Sequence, residues 1–191
     1  MAVNKQFMKW AQSFSGCDGG NPKGTWFCGI EFGMGDIGKN LSVEEYQNEV
    51  LRYYRDILNN QIQAGDYVPD TSFELGKNTK YPFGLKLAKL YRAIRGDETK
   101  NIDDFAKNCL NNEIFKINLY PIPFADTSHE YWKKYELADL TGLQNKQAYL
   151  TWCAINRFPS FVKKVRENDP KLIMAPNETQ PVLPEHEKDR R

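Results

Sequence analysis

Short apolar segments that alternate with amphipathic helical patterns constrain this chain more than any other feature. Thr25 to Ile30 (TWFCGI), Ile114 to Leu119 and Lys171 to Met174 have the length of buried strands. Helical periodicity between them, clearest in Phe83 to Ile94, implies crossover connections and a parallel sheet covered by helices. We therefore expect an α/β fold, a three-layer αβα sandwich with a central parallel sheet of about four strands.

Capping and turn residues place the other elements. An opening amphipathic helix is expected around Phe7 to Phe14, and Ser42 with Glu45 forms an S-x-x-E capping box before a long helix. Pro121 and Pro123 are expected to end the second strand, because proline cannot donate to a sheet ladder. Further helices are expected at 101–110, at 143–156 and from Pro159, and irregular structure at 64–82 and 125–142.

Length and composition bound the class of protein. A chain of 191 residues suits one domain, which we place at 1–174, followed by a proline-rich charged tail at 175–191. The net charge of +1 gives no global basic field, although a local basic face remains possible. No apolar run has the length of a membrane span, and the four cysteines lie far apart without metal-ligand spacing. We expect a cytoplasmic monomer.

The glycine-rich stretch after the first predicted strand admits several uses. Gly33 to Lys39 nearly matches the phosphate-loop pattern G-x-x-x-x-G-K-[ST], but Asn40 replaces the hydroxyl that would bind magnesium, and we reject this interpretation. The Gly33–Gly38 loop also spells the dinucleotide pattern G-x-G-x-x-G. Because the next helix is expected only from Ser42, a nucleotide-binding small-molecule enzyme is a minor alternative, beside a loop with no ligand.

A third interpretation covers more of the chain. The segment WFCGIEFG resembles the first motif of the uracil-DNA glycosylase superfamily, a strand that ends in G-x-[DNE]-P-G or G-x-D-P-Y-H. Gly29, Ile30, Glu31 and Gly33 match this motif, and Phe32 stands where most members have proline.

Two later segments resemble the same superfamily in the same order. FKINLYPIP is similar to the strand whose end carries the uracil-binding asparagine, here Asn118. KYPFGLKLAKL is similar to the helix start that carries a base-stacking phenylalanine, here Phe83. FPSFVKKVRENDPKLIM resembles the helix and strand before the last motif, so the similarity spans about residues 24–174.

The resemblance implies a monofunctional DNA glycosylase that hydrolyses the bond between a deaminated, damaged or modified pyrimidine and its sugar, in repair or antiviral defence. Such a reaction needs a carboxylate near C1′ and donors toward the base, which Glu31 and Asn118 would supply, with Phe83 stacking on a flipped base. DNA is the implied partner, and neither a metal nor an organic cofactor is implied. Further substrate contacts are expected from Gly29, Ile30, Phe32, Gly33, Tyr81 and His129.

The C-terminal part departs from the superfamily pattern. Members usually carry a His- or Ser-containing loop that contacts the base and wedges into the duplex, but only 17 residues follow Met174 and they contain no such element. Glu31, Asn118 and Phe83 also have ordinary structural explanations as a solvated carboxylate, a loop-binding amide and a core ring. A non-catalytic module that binds nucleic acid or protein on the same fold therefore stays open.

Overall fold

The computed structural model describes residues 2–13, 19–33, 40–59, 74–124 and 128–175. The strands are β1 (Gly19–Gly20), β2 (Thr25–Gly33), β3 (Ile114–Phe124) and β4 (Leu172–Met174). Helices separate β2 from β3 and β3 from β4 along these ranges. The helices are α1 (Lys5–Ser13), α2 (Val43–Asn59), α3 (Pro82–Arg95), α4 (Ile102–Glu113), α5 (Glu130–Lys134), α6 (Leu137–Thr141), α7 (Lys146–Asn156) and α8 (Phe158–Asn168), with a 3₁₀ turn at Leu75–Lys77.

The sheet has the strand order β1-β3-β2-β4. β2 runs parallel to both β3 and β4, whereas the two-residue β1 runs antiparallel to β3. The expected α/β class and parallel sheet are therefore confirmed, but the described residues contain three parallel strands instead of about four. β1 is a pair of glycines, which carries no strand periodicity, and the sequence did not predict it.

β3 is longer than expected because it continues through Pro121 and Pro123 to Phe124. Its register with β2 shifts between Glu31 and Gly33, where three β3 residues oppose a single residue of β2. Both prolines lie in this irregular stretch, where the regular ladder is interrupted and their missing N–H groups cost little. The expectation that the prolines end the strand was wrong for this reason.

The predicted helices are confirmed with small shifts at their ends. The Ser42–Glu45 capping box is present: the Glu45 N–H donates to Ser42 Oγ at 3.2 Å, and the Ser42 N–H donates to Glu45 Oε2 at 2.8 Å. The segment expected to be irregular contains α5 and α6, which are too short at five residues each to show a helical period. No helix in the described ranges is long and apolar enough to cross a membrane. The predicted tail from residue 176 lies outside those ranges.

Buried side chains form three groups around the sheet. α3 and α4 pack on the face from which Phe27 and Ile114 project, whereas α8 packs on the face of Trp26 and Ile117. The third and largest group lies at the carboxyl end of the sheet and is rich in aromatic rings. It contains Phe7, Trp10, Tyr46, Val50, Tyr120, Ile122, Phe124, Trp132, Tyr135, Leu137, Tyr149 and Trp152.

Arg157, between α7 and α8, joins β3 to the helices from a fully buried position. Its Nε donates to the Leu119 carbonyl oxygen at 2.8 Å and its Nη2 to the Asn118 carbonyl oxygen at 3.0 Å. Nη1 donates to the carbonyl oxygen of Ala11 at the end of the chain's first helix. The planar guanidinium thus holds the backbone where β3 becomes irregular.

We expect Arg157→Lys to lower the free energy of unfolding by about 2–4 kcal/mol, because an ammonium cannot reach all three carbonyl groups and leaves buried acceptors without donors. Urea denaturation would measure the change. The matched control is Arg166→Lys on the exposed side of α8, which should change stability by less than about 0.5 kcal/mol. An equal, small effect of both variants would contradict this role for Arg157.

Candidate functional site at the carboxyl end of the sheet

Glu31 does not lie in solvent but forms a buried ion pair. Its Oε1 is 3.2 Å from Lys146 Nζ, and only 7% of the Glu31 side chain and 4% of the Lys146 side chain are exposed. Removing two charges from water is costly and is offset only by a close opposite charge and further polar contacts. Glu31 is therefore a fixed, ion-paired carboxylate near the end of β2 and not a solvated loop residue.

Lys146 is the partner that the sequence analysis missed. It is the first residue of α7, whose N-terminus is capped by Asn145 Oδ1 accepting from the Ala148 N–H at 2.8 Å. A cation is unfavourable at a helix N-terminus because of the helix dipole. The Glu31 carboxylate compensates for this position, and Nζ also lies 4.2 Å from the centroid of the Phe124 ring. A lysine in the first turn of a helix was the available sequence signal.

Two buried tyrosines lie near the ion pair. Burial raises the pKa of Tyr46, and the negative charge of Glu31 raises that pKa further. Burial also raises the pKa of Tyr149 well above its ordinary value. Both phenols are thus neutral and bind the irregular part of β3: Tyr46 donates to the Pro123 carbonyl oxygen, and Tyr149 accepts from the Ile122 N–H at 3.0 Å.

Asn118 lies directly against Gly29 of the neighbouring strand. The two residues are paired in register, and Asn118 is 1% exposed. A Cβ atom placed on Gly29 would be 2.2 Å from Asn118 Oδ1, far inside van der Waals contact. The side-chain amide therefore occupies space that exists only because residue 29 has no side chain.

Glu31 and Asn118 project from the same face of the sheet. Side chains alternate along a strand, so Gly29 and Glu31 share a face, and register places Asn118 on that face beside Gly29. Two residues of a strand span about 7 Å, which is the separation of Glu31 from Gly29 along β2. The carboxylate and the amide are thus neighbours at one end of the sheet.

Phe83 lies on the same side of the sheet and is not a core residue. Half of it is exposed, and its ring centroid is 4.7 Å from Nζ of Lys116. Lys116 is buried and precedes Asn118 by two residues on β3, so both side chains share a face. The structure therefore brings the ring to the side of the sheet that carries Glu31 and Asn118.

The other predicted contacts occupy varied positions. Tyr81 precedes α3 and is 53% exposed, whereas Ile30 packs against the aromatic group and is partly buried. Gly33 ends β2 opposite Phe124, and His129 is exposed at the start of α5. The Phe32 ring and the Gly33–Gly38 loop beyond Gly33 lie outside the described side chains and residues, so the predictions for them stay predictions.

Two surface hollows lie away from these residues. A groove of about 630 Å³ runs beside α7 and α8, and a smaller apolar hollow of about 290 Å³ lies on the opposite face of the sheet, beside Trp26 and Ile117. Neither is lined by any predicted site residue. The larger groove is open and lined by Lys163, Arg166 and Glu167, and the smaller one is apolar. Because neither contains a predicted site residue, Glu31 and Asn118 define the candidate site.

The chain matches nothing in three comparisons with known proteins: no family, no curated protein and no solved structure. The uracil-DNA glycosylase resemblance therefore stays an interpretation of the motifs. Within the described ranges, no three or more His, Cys, Asp or Glu residues gather as they would around a metal ion.

Breaking the ion pair from either side should destabilise the fold. We expect Lys146→Met to lower the free energy of unfolding by about 3–5 kcal/mol, because it leaves Glu31 charged and buried. The double variant Glu31→Gln/Lys146→Met should recover most of this loss, since no charge remains buried. Thermal and urea denaturation measure the cycle.

The exposed pair Lys163–Glu167, at 3.6 Å, is the matched control for the ion pair. Lys163→Met should change stability by less than about 0.5 kcal/mol. If the losses of stability in the two single variants add up in the double variant, the charges of Glu31 and Lys146 do not stabilise each other.

Gly29→Ala should turn the Asn118 side chain away with little loss of stability. The obstructing atom is the far end of a side chain that can rotate, so we expect a cost of about 1 kcal/mol. Nuclear magnetic resonance of the Asn118 side-chain amide would show a changed environment. In the Gly29→Ala/Asn118→Ala double variant the cost of the alanine at 29 should vanish, whereas an unchanged cost would contradict the clash.

Proposed function

We propose that this protein is a monofunctional DNA glycosylase that hydrolyses the bond between a modified, deaminated or damaged pyrimidine and its sugar. The observation that carries the proposal is the placement of a fixed carboxylate, Glu31, and a buried amide, Asn118, on one face at the carboxyl end of a parallel sheet. In open α/β sheets this end is where ligands bind. The half-exposed ring of Phe83 lies on the same side.

In the proposed reaction the bond from C1′ to the base nitrogen breaks, and its electron pair leaves with the base. The oxygen of a water molecule forms the new bond to C1′, and the proton it loses passes through the Glu31 carboxylate to the departing base. Glu31 orients this water and stabilises the positive charge that develops on the sugar. Lys146 holds Glu31 in place and is a positioning residue.

The Asn118 amide suits a pyrimidine edge because it carries both an acceptor oxygen and a donor nitrogen. Gly29 leaves the space that the amide occupies, so the amide can lie at this position before a base arrives. Phe83 would stack on the extruded base. We propose further that the fold is the αβα sandwich of the uracil-DNA glycosylase superfamily and that the protein acts as a cytoplasmic monomer.

The buried ion pair also favours a second candidate. Glu31 is engaged with Lys146 and is nearly inaccessible, which is what a purely structural carboxylate would show. A non-catalytic nucleic-acid-binding module on this fold would not need an accessible carboxylate. Base release separates the two candidates.

The test is an abasic-site assay on oligonucleotides that carry different pyrimidines. Glu31→Gln alone is a poor probe because it removes the carboxylate that neutralises buried Lys146. The carboxylate is therefore tested as Glu31→Gln/Lys146→Met against Lys146→Met, with folding checked by circular dichroism. The unmodified protein should form alkali-labile sites. The rate of their formation should be at least about 100-fold lower in the double variant than in Lys146→Met, and at least about 100-fold lower in Asn118→Ala than in the unmodified protein.

Ile155→Ala, on the exposed side of α7, is the control and should retain full base release. Sodium borohydride should trap no covalent complex, because a water mechanism forms no imine with a lysine; a trapped complex would contradict the mechanism. DNA binding without release of any base would overturn the glycosylase proposal in favour of the binding module.

A further inference from the structure

Two exposed aromatic rings with adjacent lysines mark the start of α3. Tyr81 is 53% exposed and Phe83 is 50% exposed. Nζ of Lys80 lies 5.1 Å from the centroid of the Tyr81 ring, and Nζ of Lys116 lies 4.7 Å from that of the Phe83 ring. Large rings left in solvent forgo the burial that normally stabilises them, so an exposed pair indicates a contact surface.

This part of the chain is strongly basic although the whole protein is not. Residues 74–96 contain six lysines and arginines and a single acidic residue, Glu74, in a chain of net charge +1. Glu74 pairs with Lys77 at 2.8 Å, and Arg95 pairs with Glu113. The remaining exposed lysines of the segment, at positions 80, 86 and 89, form no ion pair within the described residues.

The surface adjoins the candidate site. Tyr91, two turns after Phe83, packs edge-on against Phe27 near the start of β2 with ring centroids 6.3 Å apart. Phe83, near the start of α3, lies beside Lys116, two residues before Asn118 on β3. Gly84 fixes this end of the helix, because a Cβ there would lie 2.3 Å from the Asn78 carbonyl oxygen. The Phe83 ring therefore lies on the face that carries Asn118, and Tyr81 precedes it by two residues.

We propose that this α3 surface, formed by Lys80, Tyr81, Phe83, Lys86 and Lys89, binds single-stranded DNA, with Phe83 stacking on the unpaired target base and Tyr81 on the unpaired nucleotide next to it. Base faces are available for stacking only in an unpaired strand, and interleaved lysines neutralise its phosphates. The identity of the strand as DNA with a target base rests on the proposed function.

Fluorescence anisotropy with a labelled oligothymidylate, and with the same strand in a duplex, tests the inference. The unmodified protein should bind the single strand more tightly than the duplex. Tyr81→Ala and Phe83→Ala should each weaken binding of the single strand at least about fivefold, since each removes a stacking contact. Lys86→Gln/Lys89→Gln should reduce the slope of log K against log salt by about 1.4.

Val162→Ala, equally exposed on α8, is the matched control and should leave binding unchanged. Equal affinity for duplex, or unchanged affinity in both aromatic variants, would overturn the inference. Loss of self-association in Leu90→Ala/Ile94→Ala without any DNA binding would instead assign the surface to a second copy of this chain. Intact single-strand binding with no base release would contradict the proposed function but still support this surface as a binding site for single-stranded DNA.

Discussion

The ion pair between Glu31 and Lys146 stabilises the carboxyl end of the sheet, where the candidate site lies. The pair joins the end of β2 to the first residue of α7, two elements 115 positions apart in the chain. Around it lie the Phe124 ring and the neutral phenols of Tyr46 and Tyr149. Because an ion pair in apolar surroundings tolerates little displacement, this contact determines how α7 and its neighbours meet the sheet.

Most of the fold could be predicted where local patterns are long. α2 and α3 combine several turns of apolar periodicity with recognisable caps, and β2 is an apolar run between turn residues. Two-residue β1 and the five-residue helices α5 and α6 contain too few residues for a period to be seen. The passage of β3 through two prolines depends on a register shift against β2, which no local pattern reveals.

The candidate site was predictable only in outline. Parallel pairing of β2 and β3 implied that Glu31 and Asn118 would meet at one end of the sheet, and their register agrees. The first-turn lysine of α7 could be noticed, but its pairing with the carboxylate could not, since it lies 115 residues after Glu31. Likewise, half exposure of Phe83 depends on how α3 packs on the sheet, whereas helical periodicity alone favours a core position.

The contact between Gly29 and Asn118 links two positions that would otherwise look independent. The Asn118 amide occupies the space that the methyl group of an alanine at position 29 would fill. Residue 29 therefore limits which side chains fit at position 118. Under the proposed function, randomising position 118 alone would sample only side chains that fit beside Gly29. A library that varies positions 29 and 118 together would include side-chain orientations at position 118 that the natural pair does not allow.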